Sequence, residues 1–413
     1  LLAGGPWLWP KKVVALLLVW SAGLVTTGGQ PDAELNPREQ LGKLLFFDES
    51  LSARGNQSCA SCHDAKVGWT GGIEAFNRRG SVYQGSIPGR FGNRKPQSAA
   101  YATVAPRFRA VDDDEHEFVG GNFWDGRATG DRLGNPAADQ ALGPFLNPLE
   151  QALPDAEALV DRVCKGSHAG LFKQVWGRAA CDDAARGYEF IALAIAAYEG
   201  SADVNRFSSK YDAVLGGTAR LSLEEQRGLE LFAGKGRCAS CHPHTRGPNG
   251  DPPLFTDFRF DNIGVPRNPD NPFYANREAN PAGDAWLDEG LGGFLATRPA
   301  HARHAQMNIG KHRSPTLRNV DLRPSPDFVK AYGHNGYFKS LEQIVHFYNT
   351  RDVLPVCAGA TQRPGLDCWP KPEVVDNLNK EELGNLRLTE AEERAIVAFL
   401  GTLSDGYTGR PLR

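Results

Sequence analysis

The sequence predicts an all-α protein with long loops, built from two domains of one kind, and three observations carry that prediction. The pentapeptide CASCH occurs twice, at 59–63 and at 238–242. The residues before each copy repeat as well. LGKLLFFDESLSARGNQSCASCH and QRGLELFAGKGRCASCH both read as a helix containing a glycine, a Leu-Phe pair and a loop into the motif. Strand-length runs of alternating apolar and polar residues are scarce, whereas 46 glycines and 28 prolines among 413 residues call for long ordered loops between modest helices.

The elements follow in chain order. Lys11 and Lys12 precede an apolar stretch at 13–25 and then small and polar residues. That is the order of a secretory signal, and the stretch is short for a bilayer span, so 1–30 reads as a signal peptide or N-terminal anchor. The periplasm is then the expected location, with the membrane touched only through that segment. The duplication divides the remainder into 33–215 and 216–413. ARGYEFIALAIAAYEG (185–200) is a strong apolar helix. Capping boxes open three more, at Ser222 and Glu225, Ser340 and Gln343, and Thr389 and Glu392. In the helix after Ser340, Leu341, Ile344, Val345 and Tyr348 share one face, while His346 points about 200° away from Tyr348.

Cysteine usage fits an oxidising compartment. Four of the eight cysteines belong to the repeated motif, and the others fall as local pairs, Cys164 with Cys181 and Cys357 with Cys368, which suits disulfides. Zinc would need two C-x-x-C pairs, or a pair plus spaced histidines, converging on one ion. Here each C-x-x-C is followed directly by His, the spacing of c-type haem attachment. Cys59 and Cys62, and Cys238 and Cys241, would bond the porphyrin vinyl groups, and His63 and His242 would ligate the irons. Each half thus reads as a cytochrome c-like domain with one covalent c-type haem. The formal net charge of -3, interspersed along the chain, excludes a nucleic-acid partner.

The sixth iron ligands separate electron storage from catalysis, because an iron with two strong protein ligands binds nothing else. The single methionine, Met307, rules out two Met-ligated irons. Tyr348 is either a phenolate ligand or a core tyrosine bonded to a carbonyl; the pattern leaves both open.

From about residue 37 to 407 the chain resembles the bacterial dihaem cytochrome c peroxidase/MauG family. The likeness lies in both CASCH motifs, FWDGRA (123–128), QALGPFLNPLE (140–150), SPTLRNV (314–320), GHNGYFKSLEQIVHFY (333–348) and LTEAEERAIVAFLGTLSDGY (388–407). The resemblance implies hydrogen peroxide as oxidant. It implies Tyr348 as the ligand opposite His242, since MauG carries Tyr where the peroxidases carry Met. Glu150 would be the acid/base over the first iron, with Gln140 and Pro144 completing that pocket and Trp124 relaying electrons between the haems. No histidine stands between His63 and His116, so the first iron is expected to be open. Peroxide would drive oxidation of a partner protein at Trp or Tyr. The alternatives are a conventional peroxidase fed by a small redox protein and a non-enzymatic electron carrier. Family members also hold calcium, for which Asn93 is the matching side chain, although VKA (329–331) stands where the usual T-x-P carbonyls would be. His116, in an acidic run, reads as a surface residue. The long segment 266–313, with His301, His304, Met307 and His312, reads as a surface excursion, and six extra residues separate Trp124 from Gln140 relative to MauG.

Overall fold

The computed structural model describes residues 34–409 apart from 113–115 and 360. The N-terminal segment 1–30 lies outside the described residues. Among those described, no helix is long and apolar enough to cross a membrane.

In chain order the helices are α1 (Pro37–Phe47), α2 (Glu74–Asn77), α3 (Pro136–Ala141), α4 (Gly143–Leu146), α5 (Ala156–Lys165), α6 (Ala169–Trp176) and α7 (Ala184–Glu199). After these come α8 (Lys210–Leu215), α9 (Leu223–Ala233), α10 (Gly290–Ala296), α11 (Leu341–Thr350) and α12 (Glu390–Gly401). Two short antiparallel ribbons are the named strands: β1 (Arg109–Asp112) with β2 (Glu117–Val119), and β3 (Phe260–Asp261) with β4 (His312–Arg313). The helix-rich expectation is met.

The duplication is visible as one helix crossing made twice. Asn36 and Glu39 form a capping box at α1, and Ser222 and Glu225 form the same box at α9. Each helix then presents a glycine to the last long helix of its half. A Cβ on Gly42 would lie 1.9 Å from the Ala194 carbonyl oxygen of α7, and one on Gly228 would lie 1.9 Å from that of Ala395 in α12. Only glycine permits backbones to approach so closely. Around the first crossing, Phe46, Trp69 and Tyr198 meet edge to face at 5.6–6.0 Å. Around the second, Tyr211, Phe232, Phe255 and Phe399 form the matching cluster. Tyr211 belongs to α8, so this helix packs with the second core although a boundary at 215/216 would assign it to the first.

A second repeat places the site. Asn122 bridges Ala128 and Tyr332 bridges Phe338 across turns of the same length. Each turn pivots on a glycine of positive φ, Gly126 at 76° and Gly336 at 65°. Trp124 and His334 therefore occupy equivalent positions of the two halves, and their ring centroids lie 6.5 Å apart.

Both local cysteine pairs are bonded, Cys164–Cys181 and Cys357–Cys368. Two capping boxes are reciprocal as expected, at Ser222 and at Thr389. The third is not: Ser340 accepts from the Gln343 amide, but the Gln343 side chain accepts from Lys339, one residue earlier.

Candidate haem sites

Both CASCH segments fold into the same turn. Cys59–Ser61 and Cys238–Ser240 are single 3-10 turns, and each histidine amide donates to the first cysteine carbonyl, at 3.0 Å for His63 and 2.9 Å for His242. Each imidazole is then fixed through Nδ1, 3.2 Å from the Trp69 carbonyl in His63 and 2.7 Å from the Phe255 carbonyl in His242. An Nδ1–H held by a carbonyl leaves the Nε2 lone pair for a metal. Burial pushes both imidazoles below the usual histidine range, His242 to about 4, so both are neutral at physiological pH, the form in which an imidazole can bind a metal. The four free cysteines are those of the two motifs, and burial pushes Cys62 and Cys238 up to about 12.

A cavity opens beside each turn. Cys59, Cys62 and His63 share the first with Gln140, Pro144 and Glu150, around about 1210 Å³ of atom-free space, open solvent included. Cys238, Cys241 and His242 share the second, about 950 Å³ on the same measure, with Tyr348. Tyr348 and His242 also line a third lobe. Trp124 lines all three spaces. The motif residues thus converge as two groups with one shared wall.

Gln140 comes from α3 and Pro144 from α4. Glu150 follows a tight turn in which its amide donates to the Asn147 carbonyl at 2.9 Å and its carbonyl accepts from Ser86 at 2.7 Å. The Asn147 side-chain amide donates to Glu150 Oε1 at 2.9 Å. Burial raises the Glu150 carboxyl above its usual range, opposed by Arg127 and the Asn147 hydrogen bond. Trp124 is locked by its indole N–H, which donates to the Lys95 carbonyl at 2.8 Å.

Tyr348 shares a face of α11 with Leu341, Ile344 and Val345, as its spacing requires. Its hydroxyl makes no hydrogen bond among the described residues, and burial raises its pKa. A core tyrosine would ordinarily satisfy that hydroxyl with a carbonyl. His346 faces elsewhere, its Nδ1 3.0 Å from the Glu393 carboxylate. Met307 is 49% exposed and lines neither cavity.

Five of the buried polar atoms left without partners cluster on the first cavity, where they fit a haem. Gln57 Oε1, Gln97 Nε2, Asn122 Oδ1, Gln151 Oε1 and Arg313 Nε all lack hydrogen bonds, and all belong to residues lining the first cavity. Orphaned buried groups are rare unless a bound molecule satisfies them. Arg313 lines both cavities, carries no carboxylate partner among the described residues and is pulled down to about 10 by burial. A buried guanidinium of this kind suits a propionate.

Calcium fits less well. Asn93 lies in the wall of the first cavity. The Val329 carbonyl is taken by the Asn77 amide at 3.2 Å. The buried Lys330 ammonium donates to the Asn319 and Leu322 carbonyls at 2.7 and 3.1 Å. It is pressed well below the usual lysine range by burial and by the neighbouring Lys95 charge. Surroundings that press both Lys330 and Lys95 towards their neutral forms are a poor setting for a further positive charge.

Glu199 was not apparent in the sequence. It stands one turn after Ile195 on the apolar face of α7, lines the first cavity, is 5% exposed and has no hydrogen-bond partner among the described residues. Desolvation raises its carboxyl to about 8. A carboxyl raised above its unfolded value of about 4.5 stabilises the fold fully below pH ~4.5 and loses that contribution as pH rises to ~8. Glu199→Gln fixes the neutral form, so its melting temperature should gain on the wild type between pH 5 and pH 9. A difference that stays flat across that range would rule out the titration.

Three histidines are less exposed than the sequence implies. His116 pairs with His304 through their Nδ1 atoms at 2.5 Å, and His304 is 1% exposed. Asn308 caps this contact by donating to both carbonyls, which holds His116 against the long segment. His312 lines the second cavity, stacked on His334 at 3.6 Å. The 266–313 segment is therefore in part a wall of the site.

These two oriented imidazoles, each in a cavity beside a C-x-x-C turn, define a protein built to hold two c-type haems. The di-haem cytochrome c peroxidase family matches residues 36–220. Methylamine utilization protein MauG of Paracoccus denitrificans (strain Pd 1222) is 33% identical over 368 residues, covering 88% of each chain. Cytochrome-c peroxidase IdrP1 of Denitromonas iodatirespirans is 29% identical over 376 residues, covering 88% of this chain and 80% of its own. The crystal structure of the diheme peroxidase BthA from Burkholderia thailandensis E264 superposes with a TM-score of 0.73 at 30% identity, over 92% of this chain and 91% of that one. The chain belongs to the di-haem cytochrome c peroxidase family. It is an oxidoreductase whose cofactors are two c-type haems.

Proposed function

We propose that the protein is a periplasmic oxidase that uses hydrogen peroxide to oxidise Trp or Tyr residues of a partner protein at a distance. The observation that carries this reading is the asymmetry of the cavities: Tyr348, its hydroxyl free, shares the second with His242, whereas the first offers Gln140, Pro144 and Glu150 and no second histidine. When bound, the haems supply peroxide cleavage and hold its two oxidising equivalents. Glu150 takes the proton from the near peroxide oxygen and returns it to the far one, the acid/base task for which a raised carboxyl pKa is suited. An anionic Tyr348 oxygen favours the more oxidised iron over the ferrous one. Trp124, common to both cavities, carries electrons between them. A conventional peroxidase fed by a small redox protein would call on Met307 as an iron ligand, and its exposure speaks against that.

The test is electron paramagnetic resonance of the ferric protein, which should show one high-spin and one low-spin haem. One equivalent of peroxide should then give a long-lived state two electrons above ferric. Tyr348→Phe should abolish the wild-type low-spin signal and shorten that state. An unchanged low-spin signal removes Tyr348 as a ligand, and two low-spin signals in the wild type remove the peroxide reading.

A further inference from the structure

Oxidation of a macromolecule requires the oxidising power to leave the buried second cavity. Glu373 and His334 line that cavity, with Glu373 Oε2 3.8 Å from His334 Nε2 and without a hydrogen bond. The other carboxylate oxygen, Oε1, accepts from the Tyr274 hydroxyl at 3.2 Å. Tyr274 is buried, and its ring lies 5.9 Å from that of Trp286, which also meets Phe273 at 5.0 Å. Trp286 is half-buried and adjoins Leu287, which is 48% exposed. All three aromatic residues belong to the long 266–313 segment. Of the other described tryptophans, Trp69, Trp124 and Trp369 are buried, and Trp176 stacks on Phe190 at the edge of the first core.

We infer that Tyr274 and Trp286 form the exit path for oxidising equivalents, with Trp286 as the surface residue that receives electrons from the partner. This rests on the peroxide-driven reading above. The Arg267 guanidinium lies 3.6 Å over the Tyr274 ring. A second positive charge on that ring is disfavoured beside it, so oxidation of Tyr274 must release the proton. The Tyr274 phenol gives its electron to the oxidised cofactor of the second cavity and its proton to Glu373, leaving a neutral phenoxyl radical and a protonated carboxyl. Trp286 then supplies an electron to the phenoxyl while Glu373 returns the proton, leaving an indole radical cation. The partner's Trp or Tyr supplies the electron that restores Trp286. Two passes consume the two equivalents of one hydrogen peroxide, which with two protons ends as two waters.

The experiment adds one equivalent of hydrogen peroxide to the haem-loaded protein without any partner, followed by optical spectroscopy and peptide mass spectrometry. Trp286 should acquire oxygen. Trp286→Phe should form the same oxidised state at the same rate, lose it several-fold more slowly and carry no modification at position 286. Tyr274→Phe, which removes the transferable proton, should also slow the decay and should protect Trp286 from oxidation. If the oxidised state forms but decays at the wild-type rate in both variants, with Trp286 unmodified in the wild type, the exit path is wrong and the peroxide reading stands. If no such state forms in the wild type, both fall together.

Discussion

Glu150→Gln should slow the reaction with hydrogen peroxide by about 10²- to 10⁴-fold, the usual contribution of a positioned general acid/base. Gln keeps the shape of the side chain and can still meet Asn147, but it can neither take nor return a proton. The ferric resonance spectrum should therefore keep one high-spin and one low-spin signal, which separates lost proton transfer from lost haem. Burial raises the Glu150 carboxyl above 4.5, so the wild-type rate should fall as pH drops through that raised value, because the protonated acid no longer accepts. The variant should lack this acid limb. Stopped-flow rates within about threefold of the wild type would remove Glu150 from the chemistry, since that is far below the effect of a general base.

What the sequence shows best is what repeats. The two CASCH motifs, the flanking glycines and the capped helices are short-range patterns, and the structure returns them as two like turns and two like helix crossings. The face of Tyr348 was legible because helical spacing fixes the side it shares with Leu341, Ile344 and Val345, whereas its role as a ligand rested on resemblance. Glu150, Gln140, Pro144 and Trp124 were legible only through resemblance, because loops and short helices set their convergence on one cavity. The covered histidines were missed for a related reason. An acidic run looks solvated when read locally, but His116 is covered by His304 from almost two hundred residues away. His312 likewise is half-buried through β3–β4 pairing and its stack on His334, neither of which has a local signature. Glu199 was hidden by its own position, one polar residue at the end of an apolar helix.

Arg94→Met should destabilise the protein by about 3–5 kcal/mol, the typical cost of removing one partner from a buried charge cluster. Arg94 donates to Asp125 at 2.6 Å and grips Asp288 with two bonds, at 2.6 and 2.7 Å. Both carboxylates are buried, and each is held below the usual range against a desolvation that would raise it. After the substitution Asp125 keeps Arg127, at 2.7 Å, whereas Asp288 keeps no positive partner: the Gly290 amide donates to it at 3.0 Å, and His312 beside it is pushed down to about 4 and hence neutral. For a chain of this size such a loss lowers the melting temperature by about 5 °C. The pH dependence identifies the cause. In the wild type, a depressed Asp288 contributes stability that is full above its unfolded value near 3.8 and is lost as pH falls through its lower folded value. In the variant, the same carboxyl is desolvated without a guanidinium and binds its proton more readily folded than unfolded. The deficit should therefore be largest near pH 7 and shrink towards pH 4, whereas a simple packing defect would leave it constant. Arg94→Lys keeps the charge but not the fork, so it should recover only part of the loss. Asp125 adjoins Trp124, and Asp288 lines the second cavity, so Arg94 ties the wall shared by the cavities to the segment carrying Trp286.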